Sequence, residues 1–170
     1  MKAETTFLNF AYGSNMLTRR LQERVPSARP ISIASLTGYE LRWHKVSQDH
    51  SGKCDVVQVE TPQVKVLGIV YEILTSEKAS LDAAEGLGNG YDEKQVVLET
   101  KGGTMQAQAY FATNIDPSQL PYTWYKALVV AGAKEHGLPA AYVSKLEAVA
   151  AKVDANAQRA AKNFAIANDG

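Results

Sequence analysis

Residues 10–16 read Phe-Ala-Tyr-Gly-Ser-Asn-Met, and this stretch decides how the chain begins to fold. The apolar run from Phe7 to Tyr12 predicts a buried strand, which ends at Gly13. Ser14 and Asn15 are good helix N-caps, and apolar residues then recur on one helical face until prolines stop the helix. The sequence therefore opens as a strand, a tight turn and a short helix.

This predicted turn has two interpretations. Backbone N–H groups at the start of a helix lack intrahelical partners and lie at the positive end of the helix dipole. They can bind a carboxylate, a phosphate or a developing oxyanion, and Gly13 would let the backbone approach such a group closely. An ordinary capped helix would have the same sequence, so spacing alone leaves both interpretations open.

The rest of the chain alternates strand signals with a few helices. Residues 31–47 predict a strand with a bend at Gly38, and short turns predict hairpins from residues 55–61 with 64–74 and from 91–100 with 104–113. Helices are expected from Ser76 to Gly86, from Tyr122 to His136, and from Pro139 to about Ala167. Short connections favour an α+β fold: a small mixed, mostly antiparallel β-barrel with inserted helices and a helical C-terminus.

Composition narrows the class of protein. The chain has 170 residues, of which 45% are hydrophobic, and its 18 basic side chains balance its 18 acidic ones. Disorder is excluded, and no nucleic-acid partner is expected without a basic excess. The chain has a single cysteine, no apolar run of about 18 residues and no signal-peptide pattern. These features predict a cytoplasmic protein that does not contact a membrane and that acts on a small molecule.

No metal site is predicted. His44, His50 and His136 are dispersed, and no pair of histidines or cysteines has metal-ligand spacing. Each histidine is expected at the surface or in packing. Cys54 has no basic helix end beside it, so we expect a small half-buried side chain and not a nucleophile.

Glu85 is the most unusual carboxylate. It ends a predicted helix just before Gly86, where the negative end of the helix dipole disfavours a charged carboxylate. A group in that position suits a general base that later acts as a general acid. The alternative interpretation is an exposed surface glutamate.

Taken together, these segments resemble the γ-glutamylcyclotransferase family. Residues 7–147 match it in order and spacing. The resemblance rests on five stretches: Tyr-Gly-Ser-Asn-Met at 12–16, Leu-Thr-Gly-Tyr-Glu-Leu at 36–41, Val-Leu-Gly-Ile-Val-Tyr at 66–71, Leu-Asp-Ala-Ala-Glu-Gly at 81–86, and Gly-Ala-Lys-Glu-His-Gly-Leu-Pro at 132–139.

The resemblance implies a cofactor-independent enzyme on a small mixed barrel. Its family cleaves γ-glutamyl amides to 5-oxoproline and a free amine or amino acid, through attack of the substrate's own α-amine. It implies that Glu85 is the catalytic acid/base, whereas Asp82 is expected to be solvated and His136 to lie at the surface. The substrate-binding residues that it implies are Tyr12, Gly13, Ser14, Asn15, Tyr110 and Tyr125.

Domain limits and substrate follow the same resemblance. Residues 1–147 would form the catalytic domain, and the Ala-rich residues 148–170 a helical extension of it that could pair with another subunit in a homodimer. The resemblance indicates glutathione metabolism, although the pattern after residues 12–14 departs from the glutathione-specific branch. Two alternatives stay open: a non-catalytic module that binds a small metabolite, and cyclising removal of a γ-glutamyl group from a biosynthetic intermediate.

Overall fold

The structure, a computed structural model, describes residues 2–169. No helix in that range combines the length and apolar character needed to cross a bilayer. Its strands are β1 (Thr6–Ala11), β2 (Arg29–Thr37), β3 (Tyr39–Val46), β4 (Gly52–Gln58), β5 (Lys65–Leu74), β6 (Tyr91–Thr100) and β7 (Gly103–Ala112). Its helices are α1 (Thr18–Gln22), α2 (Lys78–Glu85), α3 (Thr123–Glu135), α4 (Ala140–Glu147) and α5 (Ala157–Asn168).

Five strands form a closed barrel in the order β1-β5-β2-β6-β7. Every pairing is antiparallel except the one between β1 and β7, where Asn9 lies opposite Gln108. Large apolar side chains such as Phe10, Tyr71 and Leu98 are fully buried. The predicted α+β class, with a mixed and mostly antiparallel barrel and a helical C-terminus, is confirmed.

The predicted hairpin between residues 55–61 and 64–74 is wrong. Strand β4 pairs with β3 in a separate two-stranded sheet, while β5 lies between β1 and β2 in the barrel. Gly38, with a φ of 81°, ends β2 and turns the chain out of the barrel. Residues 68–71 are all buried, which fits a strand with neighbours on both sides. The second hairpin, β6 with β7, is confirmed.

The C-terminal helix is interrupted, contrary to the single helix predicted from Pro139 to about Ala167. Helix α4 ends at Glu147, and α5 begins after Asn156, whose side chain accepts a hydrogen bond from the Arg159 amide. Before it, Asp154 accepts hydrogen bonds from the Trp124 indole at 2.9 Å and from the Arg159 guanidinium. Capping at Asn156 therefore starts a new helix inside an Ala-rich run.

Helix α5 is tied back to α1. The Arg19 guanidinium donates to the carbonyl oxygens of Ile166 and Ala167, the second at 3.0 Å, and Arg20 donates to Asn163 Oδ1 at 3.2 Å. Carbonyl groups in the last turn of a helix lack intrahelical partners, so Arg19 satisfies acceptors that α5 leaves open. Side chains of α1 thus hold the end of α5, while the helix itself packs against α3.

Gly132 allows α3 to pack closely on the segment after β1. A Cβ at this position would lie 2.5 Å from the Leu17 amide nitrogen and 2.7 Å from Met16 Cβ. Alanine normally stabilises a helix interior by about 1 kcal/mol relative to glycine. We predict the opposite sign here: Gly132→Ala should lower the free energy of unfolding in urea by about 1–3 kcal/mol, because overpacking shifts the backbone.

Gly102→Ala is the matched control for this measurement. An added Cβ there would lie 3.8 Å from Thr100 Oγ1, so the free energy of unfolding should change by less than about 0.5 kcal/mol. A Gly132→Ala protein that is more stable than the parent would show that α3 does not approach residues 16–17 as described.

Candidate active site

A cavity lies at the end of β1, with a volume of about 370 Å³ including the part open to solvent. All seven residues singled out from the sequence line it: Tyr12, Gly13, Ser14, Asn15, Glu85, Tyr110 and Tyr125. Five further residues that the sequence did not point to also line the cavity: Asn9, Phe10, Ala11, Cys54 and Tyr91. Tyr91 directly follows a glycine-rich loop after Glu85, and that position was the only available sequence signal.

The turn after β1 presents unpartnered backbone donors. Ser14–Met16 form a 3₁₀ turn, closed by a hydrogen bond from the Met16 amide to the Gly13 carbonyl at 3.1 Å. The amide N–H groups of residues 13–15 donate to no residue in the described range 2–169. A Cβ on Gly13 would lie 3.0 Å from Tyr125 Oη and 3.1 Å from Cys54 Cβ. Any larger residue at position 13 would crowd Tyr125 and Cys54, so glycine fits this part of the cavity wall.

Glu85 is held at the edge of the cavity. It is the last residue of α2, which ends with Gly86 in the left-handed conformation at a φ of 72°. Its Oε1 accepts a hydrogen bond from the Asn15 side-chain amide and lies 3.4 Å from Arg24 Nη1. Arg24 also donates to Asn15 Oδ1 at 3.1 Å. The side chain is only 15% exposed, so its carboxylate has a fixed position and restricted contact with water.

Tyrosines form neutral walls. Tyr12 donates its hydroxyl proton to the Tyr110 carbonyl, and Tyr91 donates to the Cys54 carbonyl at 2.7 Å. The Tyr125 hydroxyl accepts from the Cys54 amide at 3.0 Å and donates to no oxygen or nitrogen of residues 2–169. Burial raises the pKa of Tyr12, Tyr91 and Tyr125 well above the usual range, so all three stay protonated. Within the described residues, the Tyr125 proton faces only the Cys54 sulfur, a weak acceptor, and so can be donated to a stronger acceptor on a ligand.

Tyr110 links the barrel to α2. Its hydroxyl donates to Asp82 Oδ1 at 2.6 Å and accepts from Gln108 Nε2 at 3.2 Å, while Asp82 pairs with Lys78 at 3.0 Å. The sequence suggested that Asp82 is a solvated helix residue, and this expectation is wrong. Asp82 joins β7 to α2, the helix that carries Glu85, and so it helps to position the Glu85 carboxylate.

Two other expectations need correction. His136, predicted at the surface, is partly buried, and its Nε2 lies 2.9 Å from the Met16 carbonyl oxygen. Cys54, predicted half-buried, is only 2% exposed and lies on the cavity wall. Within residues 2–169, no three His, Cys, Asp or Glu side chains are placed to hold a metal ion.

A second cavity, of about 640 Å³ including the part open to solvent, adjoins the first, and we call it the basic chamber. Ser14, Glu85, Tyr91 and Tyr125 line both spaces. The basic chamber is further lined by Arg20, Arg24, Lys45, Ser47, Asp49, Lys53, Ala84 and Trp124. Its four cations come from α1, β3, β4 and the loop after α1, so no local sequence pattern could reveal it.

Known proteins resemble this chain in both sequence and fold. A model of the AIG2-like family matches residues 65–146. The γ-glutamylcyclotransferase of Homo sapiens is 38% identical over 156 residues, which cover 86% of this chain and 80% of the human protein. A solved γ-glutamyl cyclotransferase superposes with a TM-score of 0.84 at 33% identity, covering 98% of this chain and all of that one. A crystal structure of an uncharacterised Homo sapiens protein has a TM-score of 0.81 at 35% identity, covering 94% and 99%.

The burial of Cys54 predicts an inert thiol. Burial raises the pKa of the Cys54 thiol to about 12, so almost no thiolate is present at pH 8. We expect a disulfide reagent such as Ellman's to leave the folded protein unmodified for hours and to react completely once guanidinium unfolds the chain. Lys162→Cys, which adds a thiol at an exposed position of α5, should react at one site within minutes. Rapid modification of the folded parent protein would contradict this placement of Cys54.

Proposed function

This chain is an enzyme of the γ-glutamylcyclotransferase family, and we propose that it converts γ-glutamyl amides into 5-oxoproline and a free amine or amino acid. One observation carries the proposal: a shielded carboxylate, Glu85, lines the same cavity as the free backbone donors of residues 13–15. The reaction needs a proton carrier and an anion-stabilising group beside one carbonyl carbon. Both are present within a single small cavity.

The proposed reaction is intramolecular. The substrate's α-nitrogen attacks its own γ-carbonyl carbon, and the new carbon–nitrogen bond closes a five-membered ring. The tetrahedral intermediate then expels the nitrogen of the leaving group, which breaks the original amide bond. Because the nucleophile is tethered to the carbonyl, holding the chain in a bent conformation supplies much of the acceleration. The substrate's atoms are all accounted for in 5-oxoproline and the released amine, so the reaction consumes neither water nor a cofactor.

Glu85 is the proposed general base and general acid. The α-amine arrives protonated at neutral pH, so a base must remove a proton before attack, and the leaving nitrogen must then receive one. One carboxylate at the cavity edge can carry that proton from the first nitrogen to the second. Asn15 and Arg24 hold Glu85 Oε1, an arrangement that fixes the carboxylate without occupying Oε2.

The turn and Tyr125 are the proposed anion-stabilising groups. Preorganised donors lower the energy of a tetrahedral oxygen most effectively when they are already oriented and shielded from water. Here the amides of residues 13–15 are unpartnered, and Tyr125 Oη lies 3.0 Å from the position of a Gly13 Cβ, which places this hydroxyl beside the same turn. These donors suit two anionic groups of the substrate, the tetrahedral oxygen and the α-carboxylate.

Replacement of the carboxylate tests the role of Glu85. Glu85→Gln keeps the shape of the side chain but removes the titrating group, so kcat should fall at least about 100-fold while the melting temperature changes little. Glu60→Gln, at an exposed loop position, is the matched control and should retain parental kcat. A folded Glu85→Gln protein with near-normal turnover would remove Glu85 from the mechanism.

A substrate panel tests the reaction itself. Purified protein in a buffer containing EDTA should release 5-oxoproline from at least one γ-glutamyl amino acid or amine. Acetylation of the α-amine should abolish release because it removes the nucleophile, and an α-linked glutamyl peptide should be inert because its carbonyl is misplaced for ring closure. Release of free glutamate would instead indicate a hydrolase, and binding without turnover would indicate a metabolite-binding module.

A further inference from the structure

The basic chamber contains more positive charge than its own carboxylates neutralise. Arg24 lies 3.4 Å from Glu85 Oε1, and Lys53 Nζ lies 2.8 Å from Asp49 Oδ2. These two pairs account for both carboxylates that line the chamber. Arg20 and Lys45 have no carboxylate partner on the chamber wall, and Arg20 pairs only with Glu23, which lies outside it. The wall therefore has two more cations than carboxylates.

Lys45 is the clearest sign of a missing partner. The residue is only 9% exposed, yet its ammonium group makes no ion pair or hydrogen bond with any residue in the described range 2–169. Its Nζ lies 4.7 Å from the centroid of the Tyr91 ring, on the wall shared by the two cavities. Burial lowers the pKa of Lys45, and the negative charges of Glu85 and Asp49 offset that effect only in part.

Arg20 has an unused donor of the same kind. Its Nη1 donates to Asn163 Oδ1 at 3.2 Å and lies 4.0 Å from Glu23 Oε2. Its Nε is enclosed by protein, so a ligand in the chamber cannot reach this atom. Its Nη2 is not enclosed and makes no hydrogen bond with residues 2–169, so Nη2 can donate to a carboxylate, the acceptor that matches guanidinium best.

We propose that the basic chamber binds the leaving group of the substrate as an anion, with Arg20 and Lys45 as the residues that receive its carboxylates. This inference rests on the proposed function. Glu85 must reach the leaving nitrogen to return its proton, and Glu85 lines both spaces. A substrate whose γ-glutamyl part occupies the tyrosine-walled cavity therefore extends past Glu85 into the basic chamber.

The charge surplus specifies the substrate class. An amine leaving group carries no carboxylate, a neutral amino acid carries one, and a dicarboxylic amino acid carries two. The excess of two cations over carboxylates on the chamber wall matches the last of these, and a space of about 640 Å³, including the part open to solvent, can hold such a group. The preferred substrates are therefore γ-glutamyl conjugates of acidic amino acids, followed by those of neutral amino acids and then by γ-glutamyl amines.

Two pairs of nearly isosteric substrates test the inference. γ-Glutamylalanine and γ-glutamylethylamine differ by the α-carboxylate of the leaving group, while γ-glutamylglutamate and γ-glutamylglutamine differ by its second carboxylate. We expect kcat/KM for 5-oxoproline release to be at least about tenfold higher for the more anionic member of each pair, because a hydrogen bond to a charged group contributes on that scale.

The same panel distinguishes failure of the proposed function from failure of the proposed role of the basic chamber. If none of the four compounds releases 5-oxoproline, the proposed function itself fails. If all four release it with equal kcat/KM within each pair, the function stands and the role of the basic chamber is overturned. That comparison uses the unmodified protein, so it does not depend on whether a variant folds.

Variants then assign the effect to residues. Arg20→Gln and Lys45→Gln should each reduce the preference for γ-glutamylglutamate over γ-glutamylglutamine at least about fivefold, mainly through KM, with a smaller effect on γ-glutamylethylamine. Lys162→Gln removes one exposed positive charge outside the chamber and should keep the parental preference. Variants that lose activity equally on all four compounds, with the preference intact, would overturn the assignment to Arg20 and Lys45.

Discussion

The hydrogen bond from the Asn15 side chain to Glu85 joins two segments that lie 70 residues apart in the chain. One segment is the turn at the end of β1, and the other is the last residue of α2. They can meet only if β1 is held in the barrel and α2 is anchored against it. Pairing of β1 with β5 and β7 meets the first condition, and the contact between Tyr110 and Asp82 meets the second.

The two spaces on either side of Glu85 differ in their electrostatics. Among residues 2–169, Glu85 is the only charged side chain on the wall of the first cavity, which otherwise consists of aromatic, amide and small side chains and backbone. The basic chamber contains four cations. A glutamyl group in the first space would be recognised by neutral hydrogen-bond donors, whose strength depends on orientation. A group in the second would be recognised mainly by charge, which tolerates differences in shape.

Local signals in the sequence predicted a large part of this arrangement. An apolar run before Gly13 and a glycine after Glu85 each act within a few residues, so β1, the turn after it and the end of α2 were identified. The caps expected at Ser14 and Asn15 were wrong, because both residues lie inside the 3₁₀ turn and neither side chain caps a helix. The hairpin at Gly102 and Gly103 and the span of α3 were identified for the same reason.

Features that depend on contacts between residues far apart in the sequence could not be predicted from local signals. The partner of β4 is chosen by the turn at Gly38 and by the burial of β5 on both sides, which no window around residues 55–74 contains. The same holds for the basic chamber, since Lys45 of β3 and Arg20 of α1 are brought together only by the tertiary structure.

The contact between α1 and α5 has a consequence for the whole C-terminal region. Arg20 lines the basic chamber and also binds Asn163 of α5, while its neighbour Arg19 holds the end of that helix. Binding energies of this kind are reciprocal: a ligand that is held more tightly when α5 is docked must tighten that docking by the same factor. Amide hydrogen exchange in α5 would then slow as the chamber fills, so the last helix reports on events at a site that it does not line.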